Sequence, residues 1–338
     1  MPKASGVAGQ VRGWRGQLTH MSPNVLIVGA GGGFGAALAA ELVQSGWRVR
    51  GLVRTSKHAA LPAGVELVIG DAQDRSTLSR CVEGVGVVVH AVNYPYAQWD
   101  PAMREVSAKI IAATREVGAR LVFPGNVYGF GPQIGRAIAE DAPQEPTTRK
   151  GRLRAEIEFM IQRATDDGRM RALIMRAGDF FGPTVRNGLV DRIFGRAAIG
   201  KSMQTLGRLS MPHQWAYVPD LARLTAELLL AEDRLKPFEI VHFAGHVVTR
   251  QIDFLREVAA AAGRPELAVR TTPWWLVRFA ALFDHTVGEL VELAYLFDDA
   301  VILDDPARRR LAPSFQGTPL PTAIAATLGS YRSRTTQP

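Results

Sequence analysis

The chain has 338 residues, 47% hydrophobic and 21% charged, with 33 Gly, 20 Pro and one cysteine, Cys81. That length suits one large α/β unit with a smaller lobe or two average domains, and its core needs no disulfide or metal staple. A lone cysteine excludes an intramolecular disulfide, and a net charge of +8 is too dilute over this length to argue a nucleic-acid partner.

Residues 1–22 carry Lys3, Arg12 and Arg15 with no acid and no apolar run. No secretory signal fits, and a disordered leader before a working start at Met21 is expected; the basic, acid-free character also weakly resembles an organelle transit peptide. From Asn24 short β-branched runs alternate with helical stretches. Strands are expected at Val25–Val28, Arg48–Val53, Val65–Ile69, Val85–His90, Leu121–Phe123 and Ala172–Met175. Helices are expected at Phe34–Ser45, Ser76–Val82, Pro101–Val117, Arg152–Ala164, Asp220–Leu230 and Gln251–Ala262. The alternation implies right-handed crossovers and a doubly wound, Rossmann-type parallel sheet over 23–176. A smaller substrate lobe follows over 177–334, with some segments returning to the sheet. The aromatic stretch Pro273–Phe297 is interrupted by Arg278, Asp284, Glu289 and Glu292 and reads as amphipathic helices. It falls short of the ~18 uninterrupted apolar residues of a membrane span. A cytoplasmic protein without a membrane partner is expected, with the Trp274-Trp275 helix serving the lobe or a homodimer contact.

The first strand runs into Gly29-Ala30-Gly31-Gly32-Gly33-Phe34-Gly35 and then a helix. Gly29 permits the tight turn, Gly32 lets the backbone approach a pyrophosphate, and Gly35 lets the helix pack on the sheet. The amides at Gly33 and Phe34 then face the phosphates. An NAD site usually has an acid at the end of the second strand; here the segment is Gly51-Leu52-Val53-Arg54-Thr55-Ser56-Lys57. Arg54, supported by Lys57 or Thr55, can pair with a 2′-phosphate, so NADP(H) is expected over NAD(H).

With these residues the chain resembles the extended short-chain dehydrogenase/reductase family, the NAD(P)-dependent epimerase/dehydratase group, from about Asn24 to Leu328. Gly70-Asp71-Ala72-Gln73-Asp74 is similar to the family's third-strand segment, which implies that Asp71 binds the adenine beside Ala72. His90-Ala91-Val92 resembles the loop lining the cofactor. Val127-Tyr128-Gly129, Arg176–Pro183 and Trp215–Ala222 resemble three later family segments. The resemblance breaks at the catalytic positions. Pro124 stands where it implies a Ser, and Lys150 and Arg154 stand where it implies the Tyr and Lys of Tyr-x-x-x-Lys.

Residues 150 and 154 share a helix face. Two adjacent cations disfavour each other's charge, so Lys150 is expected to be the member driven toward neutrality and able to donate a proton. Arg154 would hold the cofactor ribose or a substrate anion. The alternatives are an anion site and a solvated basic helix start, with Glu156 and Glu158 compensating the cations. Tyr128, Tyr94 and Tyr96 offer further hydroxyls. Asn93, Tyr94, Asn126, Asp179 and His213 are candidates for the substrate site; none of these makes a metal site. The expected function is an NADP-dependent oxidoreductase or epimerase-like enzyme with a non-standard proton donor. Its small oxygenated substrate could be anionic, such as a sugar nucleotide, or a hydroxylated ring. The alternative is a non-catalytic NADP(H)-binding sensor or assembly subunit.

Overall fold

A computed structural model describes residues 23–55, 61–132 and 137–335. The leader and Lys57, and with them the support expected for Arg54 from that lysine, lie outside the described residues. Seven strands form one parallel sheet: β1 (Asn24–Val28), β2 (Arg48–Val53), β3 (Val65–Ile69), β4 (Val87–His90), β5 (Arg120–Gly125), β6 (Arg171–Ala177) and β7 (Phe238–Phe243). Their spatial order is β7-β6-β5-β4-β1-β2-β3, so the winding reverses between β1 and β4 and opens a crevice at the strands' carboxyl ends. β1 shows the period-two logic: Val25 and Ile27 pack into one core cluster, Leu26 and Val28 into the other. Because both faces are covered, the strand reads as a continuous apolar run.

Helices α1 (Gly33–Gln44) and α5 (Val218–Leu230) pack together on one face. On the other lie α2 (Arg75–Val82), α3 (Trp99–Glu116) and α4 (Arg149–Thr165). Each start has a local cause. The Asp74 side chain accepts hydrogen bonds from the Ser76 and Thr77 amides to cap α2, and with the Thr77 and Ser76 hydroxyls these hold its carboxyl down to about 2. Thr148 Oγ1 accepts from the Gly151 amide, 3.1 Å away, to start α4. Met103, Val106 and Ile110 fall on one side of α3 and are fully buried.

β7 is longer than the apolar pair Ile240–Val241 suggests, because buried polar residues interrupt the pattern. Glu239 accepts from Arg310 and the Lys236 amide, and His242 bonds the Ile138 and Asp304 carbonyls. After β7 come α6 (Gln251–Ala261), α7 (Trp274–Ala280), α8 (His285–Val291) and α9 (Leu320–Thr335). Leu293, Leu296, Val301 and Leu303 join Val127, Phe130 and Ile138 in a third apolar cluster, tying the segment after α8 to the end of β5. Among the described residues no helix is long and apolar enough to cross a membrane.

Candidate active site

The glycine loop fits a dinucleotide. Gly29 has φ +89°, and a Cβ there would lie 2.6 Å from the Ala91 carbonyl oxygen; one on Gly35 would lie 2.5 Å from the Gly29 oxygen. No side chain caps the helix start at Gly32, leaving its first-turn amides for an anion. Thr184 Oγ1 donates to the Gly33 carbonyl at 2.8 Å, bringing the segment after Gly182 onto the loop. The Phe34 side chain is buried in the core, so only its backbone can serve the phosphates.

His90 departs from its expected role. Its ring is wholly buried, hydrogen-bonded through Nε2 to Ser107 Oγ at 2.8 Å and 5.2 Å from the Phe123 ring. Burial, with nearby Arg154, holds its pKa at about 3, so it is neutral. The Ala91 carbonyl and Val92 amide, rather than the His90 side chain, face Gly29. Exposed Asp71 accepts from the Gln73 amide at 2.8 Å, and Ala72 is buried beside it. Arg54 is exposed, with its guanidinium 5.5 Å from the Tyr94 ring centroid. Tyr94 therefore leaves the expected substrate position for the ends of β2 and β3. Asn93 is also occupied structurally: its Oδ1 accepts from Trp99 Nε1 at 3.1 Å.

The ends of β5 and α4 bring a second set together. The Tyr96 and Tyr128 hydroxyls are hydrogen-bonded at 2.8 Å, and Lys150 Nζ lies 5.3 Å from the Tyr96 ring centroid. Asn126 Oδ1 accepts from the Tyr128 amide at 3.1 Å, shaping the turn that presents the tyrosine. Burial chiefly, then neighbouring Tyr96 and Asp179, raises the Tyr128 hydroxyl well above its ordinary value. Burial also raises Tyr96.

The expected Lys150–Arg154 cation pair is not what the helix start presents. Lys150, 4% exposed, is ion-paired with Glu289 of α8 and lies 3.6 Å from Glu292. Arg149 binds the same two carboxylates. The compensating acids are therefore Glu289 and Glu292; Glu156 pairs with Arg104 and Glu158 with Arg176. Sequence reading marks those two glutamates only as charges interrupting an aromatic stretch. Tyr295, also missed, donates its hydroxyl to the Tyr128 carbonyl at 3.2 Å. Arg154 is enclosed separately. Its Nη2 donates to the Pro124 carbonyl at 2.5 Å, its guanidinium lies 4.4 Å from the Phe123 centroid, and its buried Nε has no hydrogen-bond partner. Burial lowers its pKa, yet a guanidinium remains charged.

His213 Nε2 and Asp179 Oδ2 are 2.9 Å apart, on neighbouring parallel strands (Asp179–Phe181 and His213–Tyr217). They line a small pocket with Val127, Gln214, Leu296 and Val301.

A model of the NAD dependent epimerase/dehydratase family matches residues 25–244. A dTDP-6-deoxy-L-talose 4-dehydrogenase (NAD(P)(+)) from Kitasatospora kifunensis is 27% identical over 64% of this chain and 73% of its own length. A UDP-glucose 4-epimerase from Streptomyces lividans is 28% identical over 42% of this chain and 47% of its own length. Among solved structures, the Thermotoga maritima UDP-glucose 4-epimerase with UDP-glucose has a TM-score of 0.73 at 16% identity, covering 92% of this chain and 99% of that one. The Bacillus anthracis dTDP-glucose 4,6-dehydratase in complex with NAD has a TM-score of 0.75 at 12% identity, covering 92% and 97%.

Proposed function

The chain belongs to the NAD dependent epimerase/dehydratase family, and on that basis we propose that it is an oxidoreductase that reduces a small oxygenated carbonyl substrate with NADP(H). The observation that carries this reading is the Tyr96–Tyr128 hydroxyl pair, 2.8 Å apart and beside a buried lysine, near the carboxyl ends of β4 and β5. On this reading Pro124, Lys150 and Arg154 replace the Ser, Tyr and Lys of relatives, and Tyr128 takes over the acid role. A bound nicotinamide would supply the hydride. The glycine-loop amides and the α1 terminus would hold the pyrophosphate, and Arg54 the 2′-phosphate. The unpartnered Arg154 Nε would donate to a ribose hydroxyl.

As a hydride reached the carbonyl carbon, Tyr128 would give its proton to the alkoxide oxygen, Tyr96 would pass its own to Tyr128, and half-buried Tyr96 would regain a proton from solvent before the next turnover. Burial raises both hydroxyls, so both carry their protons at neutral pH. Lys150 acts through Tyr96 as a positioning residue, with Glu289 and Glu292 fixing its ammonium. The test is titration with NADPH and NADH, followed by NADPH oxidation over a panel of carbonyl compounds. Tighter binding of NADPH and a turnover lost in Tyr128→Phe are expected. Binding without oxidation across the panel would favour the non-catalytic sensor, and no binding of either cofactor would defeat both readings.

A further inference from the structure

We propose that the outward face of α7, with the turn that follows it, docks on a lipid bilayer carrying anionic headgroups. Sequence reading assigns this aromatic helix to the lobe or to a homodimer contact and expects no membrane partner, but most of its apolar side chains point outward. Only a few pack inward: Val277 is buried, and the Trp274 ring lies 6.1 Å from the Phe297 ring. The Ala281 and Asp284 amides still donate to the Val277 and Ala280 carbonyls, so helical spacing carries into the turn. Trp275, Phe279 and Leu282, at i, i+4 and i+7, therefore share one side, with Leu276 and Phe283 beside them. Their exposures run from 42% at Leu276 to 80% at Phe283, with Trp275 at 69%. The Phe279 and Phe283 rings meet edge to face at 5.4 Å, packing on each other at the surface. Single apolar side chains scattered over a surface are ordinary; five this close in one short segment form a patch that calls for a partner.

The charges beside the patch favour lipid as that partner. From Arg270 to Gly288 the chain holds two arginines and a single acid, Asp284. Arg270 and Arg278 are exposed, and neither has an ion-pair partner among the described residues. Arg278 sits one turn before Leu282, at the border of the apolar side. A guanidinium there can reach headgroup phosphates while the neighbouring rings enter the acyl boundary. Tryptophan, phenylalanine and leucine bordered by arginine are the composition of a helix lying in the plane of the interface. The helix is too short and too interrupted to span a bilayer, which leaves the in-plane arrangement. A second copy fits less well. A two-fold contact would set this face against itself and double its excess of positive charge, whereas anionic headgroups neutralise it.

Flotation of the full chain with vesicles of phosphatidylcholine, with and without phosphatidylglycerol, reads this face whatever the cofactor titration returns. Binding to the phosphatidylglycerol vesicles is expected, and it should weaken as salt is added. A triple variant, Phe279→Ser with Leu282→Ser and Phe283→Ser, should partition about tenfold less or worse, and Arg278→Glu about tenfold less. All four side chains are exposed, so circular dichroism and thermal unfolding of both variants should match the parent. No flotation of the parent with the anionic vesicles would overturn the proposal. So would parent-like flotation of the triple variant, which would place the contact on other cations of a chain whose net charge is +8. Sedimentation equilibrium supplies the last arm: a parent dimer that the triple variant dissociates would give the face to a second copy and overturn the lipid assignment.

Discussion

Replacing Lys150 with Met tests the ion-pair arrangement at the start of α4. Removing one partner from a buried pair costs about 3–5 kcal/mol when the other charge is stranded. Neither partner is stranded here: Glu289 keeps Arg149 at 3.0 Å, and Lys150 keeps Glu292 at 3.6 Å when Glu289 is the residue changed. The single variants Lys150→Met and Glu289→Leu should therefore each lose about 2 kcal/mol, roughly a thirtyfold change in the folded ratio. The double variant fills the same buried space with carbon and should lie within about 1 kcal/mol of the parent, because the charge left beside it, Glu292, keeps exposed Arg149 as its partner. Urea unfolding of the four proteins, analysed as a double-mutant cycle, measures the coupling. Losses that simply add in the double variant, or single variants indistinguishable from the parent, would refute the buried pair as the element that fixes α8 on the site.

Three further outcomes follow from the site. Tyr128→Phe should lower kcat by about 10²–10⁴, the usual worth of a positioned acid, while NADPH affinity stays unchanged; a matched loss of affinity would assign the tyrosine to binding instead. Arg54→Ala should weaken NADPH about tenfold, since an exposed charge-assisted contact to phosphate is worth about 1–2 kcal/mol after screening, and leave NADH unaffected. Equal losses for both cofactors would contradict the 2′-phosphate contact. His90 and His242 have native pKa values of about 3 and about 4, set mainly by burial, so the unfolded chain binds more protons than the native one below about pH 6.5. Their contribution is complete above that pH and falls by about 1.4 kcal/mol per pH unit for each histidine as acid is added. His90→Asn should remove about half of this slope in urea unfolding between about pH 7 and about pH 5, and an unchanged slope would count against the buried neutral ring.

The glycine loop is legible in the sequence because its signals are local. Glycine spacing, a preceding β-branched run and a following helix sit within a dozen residues, and the structure places Gly29 against Ala91 as a tight turn requires. Six of the seven sheet strands carry an apolar run that period and composition detect. β7 is blurred because Glu239 and His242 are buried on partners remote in sequence. The surroundings of Lys150 were unreadable for the same kind of reason. Its position on α4 follows from the helix period, but its neighbours come from α8, and a pattern along one helix carries no information about a contact at that separation. Asp179 and His213 stand out in the sequence only as separate residues, whereas their pairing depends on the register between two short strands.

The order of the sheet also bears on how the chain reaches its native state. β6 is a fully apolar strand in its central residues, and its outer edge is closed only by β7, which pairs from Phe238↔Ala172 to Phe243↔Ala177. During synthesis the first six strands can associate while that edge waits for residue 243 to emerge. An unpaired apolar edge is a template for another chain, and pairings between distant segments form slowly. Deletions or ribosome stalls between residues 178 and 237 should therefore trap the nascent protein in an aggregation-prone form. A complete chain is shielded as soon as β7 docks.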